Sequence, residues 1–173
     1  MNRSVRVGIV VGSESDLGAM RSCCDVLDDY GIGWEIGVMS AHRASDVVRA
    51  YGLAARGRGL RVLIAAAGAA AHLPGVLASL TTLPVIGVPL AATPLAGFDS
   101  LLSIVQMPPG IPVATVAVGE MGARNAAHLA AEILGLEDTT VAEGILRVRA
   151  RMRESMQLPE GFATGAGSDS GSA

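Results

Sequence analysis

Short runs of Val, Ile, Leu and Ala recur at Val5–Val11, Trp34–Met39, Leu60–Ala66, Val85–Leu90 and Val113–Val118. Each is bounded by polar or turn-forming residues, which predicts five strands buried on both faces. Between them the apolar positions change to helical spacing: Leu17, Met20, Cys24 and Leu27 form one stripe that stops at Gly31. A second helix is predicted over 46–56 and a third after His72. Uninterrupted apolar strands alternating with helices predict an α/β fold, a three-layer αβα sandwich of flavodoxin-like type. It has a five-stranded parallel sheet and right-handed crossovers.

Past Gly135 the pattern changes. TTVAEGILRVRARMRESM reads as an additional, arginine-rich amphipathic C-terminal helix outside the sheet, packed on the body or on another subunit. TGAGSDSGSA has almost no apolar content and is expected to be disordered. A single domain over 1–157 and a tail over 158–173 follow, without linker or repeat.

In a parallel sheet of this kind, ligands bind outside the carboxyl ends of the strands, near the point where strand order reverses. Five loops therefore matter: GSESD (Gly12–Asp16), SAHR (Ser40–Arg43), AGAAAH (Ala67–His72), AATPLAG (Ala91–Gly97) and GEMGARN (Gly119–Asn125). SAHR alone is charged without containing glycine.

Composition narrows the chemistry. All 13 basic residues are arginines, and the missing lysine removes Schiff-base catalysis, pyridoxal phosphate attachment, biotinylation and a P-loop. A net charge of −3 with no basic stripe among aromatics disfavours nucleic acid. The opening apolar run is too short for a signal peptide or membrane span, so a soluble cytoplasmic protein is expected. Adjacent Cys23 and Cys24 cannot readily bridge each other and are read as packing residues. No pair of the three histidines has metal-ligand spacing on one helix and no cysteine joins one, so a metal site is disfavoured.

Within the loops, Gly12, Ser13, Ser15 and Asp16 stand where a strand passes into a helix. Backbone N–H groups and the helix dipole favour a phosphate there, although Ser15 or Asp16 could simply cap the helix. Arg43 can grip a phosphate in two-pronged fashion while His42 moves a proton on the same ligand. Alternatively Ser40 or Ser45 is a cap and Arg43 is solvated. His72 precedes Leu73 and Pro74 at a helix start, which suits a structural as well as a catalytic role. His128 is read as structural. FDSLLSIVQMPPGIPV, from Phe98 to Val113, reads as a helix at a subunit contact that could also close a neighbour's pocket.

In order along the chain, GSESD, SAHR, AGAAAHLPG, PVIGVP, GFDSLLSIVQMPPGIPVATVAVG and NAA make the stretch from about Val5 to Leu134 resemble the N5-carboxyaminoimidazole ribonucleotide mutase family. That resemblance implies a cofactor-free enzyme of purine biosynthesis acting on a small ribonucleotide as a homo-octamer. It implies that Ser13, Asp16, Ser40 and Arg43 hold ribose and phosphate. His42 becomes the general acid and base, and Gly68, His72 and Leu73 line a carbon dioxide pocket. Ala44, Ser45, Ala69, Val11, Pro94 and the Gly119–Arg124 stretch depart from the family's usual residues. This leaves room for a carboxylase or decarboxylase of a related ribotide, or for a nucleotide-binding oligomer without catalysis. Arg43 favours the mutase branch, since the carboxylase branch commonly has lysine there.

Overall fold

The computed structural model describes residues 4–154 and 156. Five parallel strands, β1 (Val5–Val11), β2 (Gly33–Val38), β3 (Val62–Gly68), β4 (Val85–Leu90) and β5 (Ala114–Thr115), form one sheet in the order β2-β1-β3-β4-β5. Six α-helices accompany it: α1 (Arg21–Asp29), α2 (Ser45–Ala55), α3 (Leu73–Leu80), α4 (Phe98–Val105), α5 (Glu120–Gly135) and α6 (Thr139–Glu154). The strand order reverses between β1 and β3, as in flavodoxin-like sheets. The predicted tail, residues 158–173, lies outside the described residues.

Alternation along the strands divides the core in two. Val7, Ile9, Val11, Val62, Ile64, Ile86 and Val88 face one way, against Met20, Cys23, Leu27 and the α5 residues Ala123, Ala126, Ala127, Ala130 and Ala131. The other face carries Val10, Leu63, Ala65 and Val85 against Val48 of α2, Leu73 and Leu77 of α3 and Ile104 of α4. A buried face made mostly of alanine, with Gly122 and Leu134 at its ends, lets α5 approach the sheet closely. The amphipathic helix α6 covers α5 and buries Val141 and Gly144.

Three expectations are corrected. The strand expected at Leu60–Ala66 is shifted to Val62–Gly68, so Ala67 and Gly68 belong to β3. The fifth run, Val113–Val118, forms a strand only at Ala114–Thr115. Pro89 on β4 has no N–H to offer, and beyond Thr115 contact is carried by the Val116 and Gly119 amides, which donate to Gly87 O and Pro89 O at 3.1 and 2.8 Å. The stripe ahead of Gly31 is also different: Cys23 is fully buried, while Cys24 is only partly so and Leu17 is exposed. Two 3-10 turns, Glu14–Asp16 and Gly18–Met20, precede α1 and shift the helical phase. Burial raises both thiols, Cys24 to about 11, so neither supplies a thiolate near neutrality.

His128 of α5 packs edge-on against Tyr30, with Nδ1 2.7 Å from the phenolic oxygen. Burial holds this imidazole below its ordinary pKa, with Glu132 opposing and Arg149 and Arg124 reinforcing the shift. The unfolded chain therefore binds the proton first as pH falls. The resulting stability is complete above pH about 6.5 and is lost as pH drops toward the lowered folded-state value. Thermal unfolding at about pH 7.5 and about pH 5.5 should show a smaller difference for His128→Gln than for the wild-type chain. Identical pH dependence would remove His128 from this role.

Candidate active site

At the carboxyl edge of the sheet, over the β1/β3 reversal, loops after four strands enclose a cavity of about 350 Å³. Ser13, Asp16, Ser40, His42, Arg43, Gly68, His72 and Leu73 all line it. The residues singled out from sequence thus come from three loops to one place.

The first wall follows β1. Gly12 donates to Ala66 O at 3.3 Å, tying the loop to β3, and Ser13 is extended before the turn closed by Asp16 N–H on Ser13 O at 3.1 Å. The Ser15 hydroxyl stands 3.1 Å from Ser13 Oγ and 3.4 Å from Asp16 Oδ1. No side chain caps this turn, so the simple capping alternative does not describe these residues. Partial burial lifts the Asp16 carboxyl above its ordinary pKa, against hydrogen bonds from Ser15 and the Ser13 backbone.

The second wall is the SAHR turn. Met39 N–H donates to Val11 O at 2.9 Å, and Ala44 N–H closes the turn on Ser40 O at 2.9 Å. Ser40 Oγ accepts the Arg43 amide at 3.3 Å rather than capping α2, whose N-cap position is Ala44. The Arg43 guanidinium crosses to Gly12 O at 3.1 Å, so the cation lies over the first loop while its side chain stays exposed.

The third wall follows β3. A Cβ on Gly68 would clash with the Ala92 methyl and come within 3.2 Å of Leu90 O, so only glycine fits this close approach. Ala69 is left-handed at φ 53°, a conformation that costs a non-glycine residue about 1–2 kcal/mol. Ala71 donates to Ala69 O at 2.9 Å and His72 to Ala70 O at 2.8 Å, turning the chain sharply into α3 with Pro74 in its first turn. Leu73 is only 3 % exposed and floors the cavity where it meets the core. His42 Nε2 then lies 2.8 Å from His72 Nδ1.

Gly12, Ser15 and the alanines at 41, 67, 69, 70 and 92 complete the lining. Gly12 and Ser15 belong to the strand-to-helix loop read from sequence as favouring a phosphate, whereas alanine offers no chemical signal. The fifth expected loop is corrected: Glu120–Asn125 are the first turns of α5, Glu120 and Arg124 pair along that helix, and none of them lines the cavity. Among the described residues no three His, Cys, Asp or Glu side chains converge as a metal site. No described helix is long and apolar enough to cross a membrane.

A flavodoxin-like sheet whose strand-end loops gather hydroxyls, one guanidinium and two imidazoles around one cavity defines a class of α/β protein with its polar side chains concentrated where the strand order reverses. The chain belongs to the family described as AIR carboxylase, which matches residues 6–155. The N5-carboxyaminoimidazole ribonucleotide mutase of Pseudomonas aeruginosa is 50% identical over 153 residues, covering 88% of this chain and 94% of that protein. The mutase of Bacillus subtilis is 50% identical over 150 residues, covering 87% and 93%. That of Pyrococcus abyssi is 52% identical over 148, covering 86% and 84%. A crystal structure of Treponema denticola PurE superposes with a TM-score of 0.75 at 27% identity, covering 86% of this chain and 92% of that one.

Proposed function

We propose that this chain is an N5-carboxyaminoimidazole ribonucleotide mutase. It converts its substrate into 4-carboxy-5-aminoimidazole ribonucleotide in de novo purine biosynthesis. The observation that carries this reading is the presentation of His42 and Arg43 by one short turn into a cavity shared with Ser13, Asp16 and Gly68. About 50% identity to curated mutases supports it over nearly the whole chain.

Arg43, Ser13 and Ser40 hold the phosphate and Asp16 accepts from a ribose hydroxyl. His42 gives a proton to the exocyclic nitrogen as the carbamate C–N bond breaks, releasing carbon dioxide. The electron-rich ring carbon then captures that carbon dioxide, and His42 removes the proton from the same carbon to restore the aromatic ring. The acid therefore ends as it began. Retention of carbon dioxide against Gly68, Leu73 and the alanine walls supplies effective concentration in place of ATP. Purified protein given the carbamate without ATP should form the carbon-carboxylated product. Formation of that product only from free aminoimidazole ribonucleotide and carbon dioxide would reassign the chain to the carboxylase branch, and no turnover would end the enzyme reading.

Arg43→Ala tests the phosphate assignment. Losing a charge-assisted hydrogen bond of about 1.5–3 kcal/mol should raise KM roughly 10- to 100-fold, with a smaller change in kcat. An unchanged KM in steady-state assays would place the phosphate elsewhere.

A homo-octamer in the cytoplasm completes the proposal, with residues 1–157 as its folded unit. The outward side of α4 supports assembly, since Phe98, Leu102 and Val105 are exposed there beside Leu95.

A further inference from the structure

His42 and His72 stand thirty positions apart in sequence, yet their rings meet at right angles with centroids 4.9 Å apart and Nε2 of His42 2.8 Å from Nδ1 of His72. Two imidazoles can hydrogen-bond only if one nitrogen carries the proton and the other offers a lone pair, so each ring restricts the other's tautomer. Asp16, the carboxylate of the cavity, stands against Ser15 instead. The histidines therefore have each other for orientation.

Each ring stands on a main chain held by hydrogen bonds, and both side chains are exposed. The His72 N–H donates to Ala70 O at 2.8 Å and its carbonyl accepts from Val76 at 3.0 Å in the first turn of α3, with Leu73 and Pro74 buried immediately after it. The SAHR turn that carries His42 is closed by Ala44 N–H on Ser40 O at 2.9 Å. The contact with His72 occupies Nε2 of His42, which leaves Nδ1 of His42 for the ligand.

Resting on the mutase reading above, we infer that His72 is a positioning residue: by accepting the His42 Nε2–H at its own Nδ1, it makes Nδ1 of His42 both give and retake the proton. Protonated His42 carries hydrogen on both nitrogens, one directed to His72 and one to the exocyclic nitrogen of the carbamate. Transfer of the Nδ1 proton accompanies C–N cleavage, the bond's electron pair remaining on the substrate nitrogen. His42 is then neutral, still bonded to His72 through Nε2–H, with the Nδ1 lone pair facing the ligand. After carbon dioxide bonds to the ring carbon, that lone pair takes the carbon's proton and the C–H electrons rejoin the ring. No tautomer exchange or ring flip separates the two halves.

Nitrogen-15 NMR of the imidazoles tests this in the wild-type protein without turnover. His42 should show a protonated Nε2 and a lone-pair Nδ1 at pH values where it is neutral, and the opposite tautomer would overturn the inference. His72→Leu should mix the two tautomers and lower kcat about 10- to 100-fold, the range found for residues that orient a reacting group, with KM changed less. In His72→Asn, Oδ1 can stand in for Nδ1 as acceptor and should recover most of kcat. A leucine variant as active as wild type, or an asparagine variant no better than leucine, would sink the positioning role. If the wild-type protein does not convert the carbamate at all, the mutase reading fails, while the NMR result still decides the tautomer of the pair.

Discussion

Replacing His42 by asparagine should remove turnover while leaving the ribotide bound. Asparagine retains polarity near the position of one ring nitrogen but cannot cycle between protonated and neutral forms near pH 7. Positioned general acid–base groups contribute about 10²–10⁴-fold, and here one residue acts in both halves of the reaction, so kcat should fall toward the upper end. Binding should persist because Arg43, Ser13, Ser40 and Asp16 line the same cavity independently, and Arg43 is already laid against Gly12 O at 3.1 Å. Stopped-flow turnover and calorimetric titration on the same preparation separate the two quantities. A variant that keeps within about tenfold of wild-type kcat would remove His42 from the chemistry. Parallel loss of affinity and rate would make it a binding residue.

The largest expected effect on stability lies away from the cavity, at Gly122. This residue is buried in the first turns of α5, where a Cβ would fall well inside 3.0 Å of the Ala117 carbonyl oxygen and also meet its carbon. Backbone cannot move aside as a side-chain tip can. On an open helix, alanine would be favoured over glycine by about 1 kcal/mol. Here the clash must reverse that sign, and overpacking of a tight site costs about 1–3 kcal/mol, more where the obstacle is main chain. Gly122→Ala should therefore lose at least about 3 kcal/mol, equivalent to roughly 6–12 °C in Tm for a domain of this size. Urea unfolding measures it directly. A neutral or stabilising result would mean that α5 does not start against the Ala117 segment.

Much of this architecture is legible because strands covered on both faces must be apolar throughout. The runs at Val5–Val11 and Val85–Leu90 match β1 and β4 residue for residue. Legibility ends where composition stops discriminating. Alanine and glycine suit strand and loop equally, so the end of β3 at Gly68 is not marked. Val113–Val118 has strand composition but faces a neighbour whose Pro89 cannot donate. In the cavity, the charged and hydroxyl residues announce themselves as polar density at strand ends. Ala41, Ala69 and Ala92 carry no such mark, because their contribution is the space they leave. The His42–His72 contact is unreadable for a different reason: the order β2-β1-β3 brings the second and third loops across the first, and no local pattern encodes that distance.

The division of the core by the sheet gives its two halves unequal duties. His42 leads into α2 and His72 into α3, and these helices pack on each other over Val48, Leu73 and Leu77. That half is the mounting plate on which the spacing of the two rings is set. The half beneath α1, α5 and α6 keeps the sheet closed and carries the turn that presents Ser13 and Asp16 ahead of α1. Val48, Leu73 and Leu77 answer to the chemistry as well as to stability.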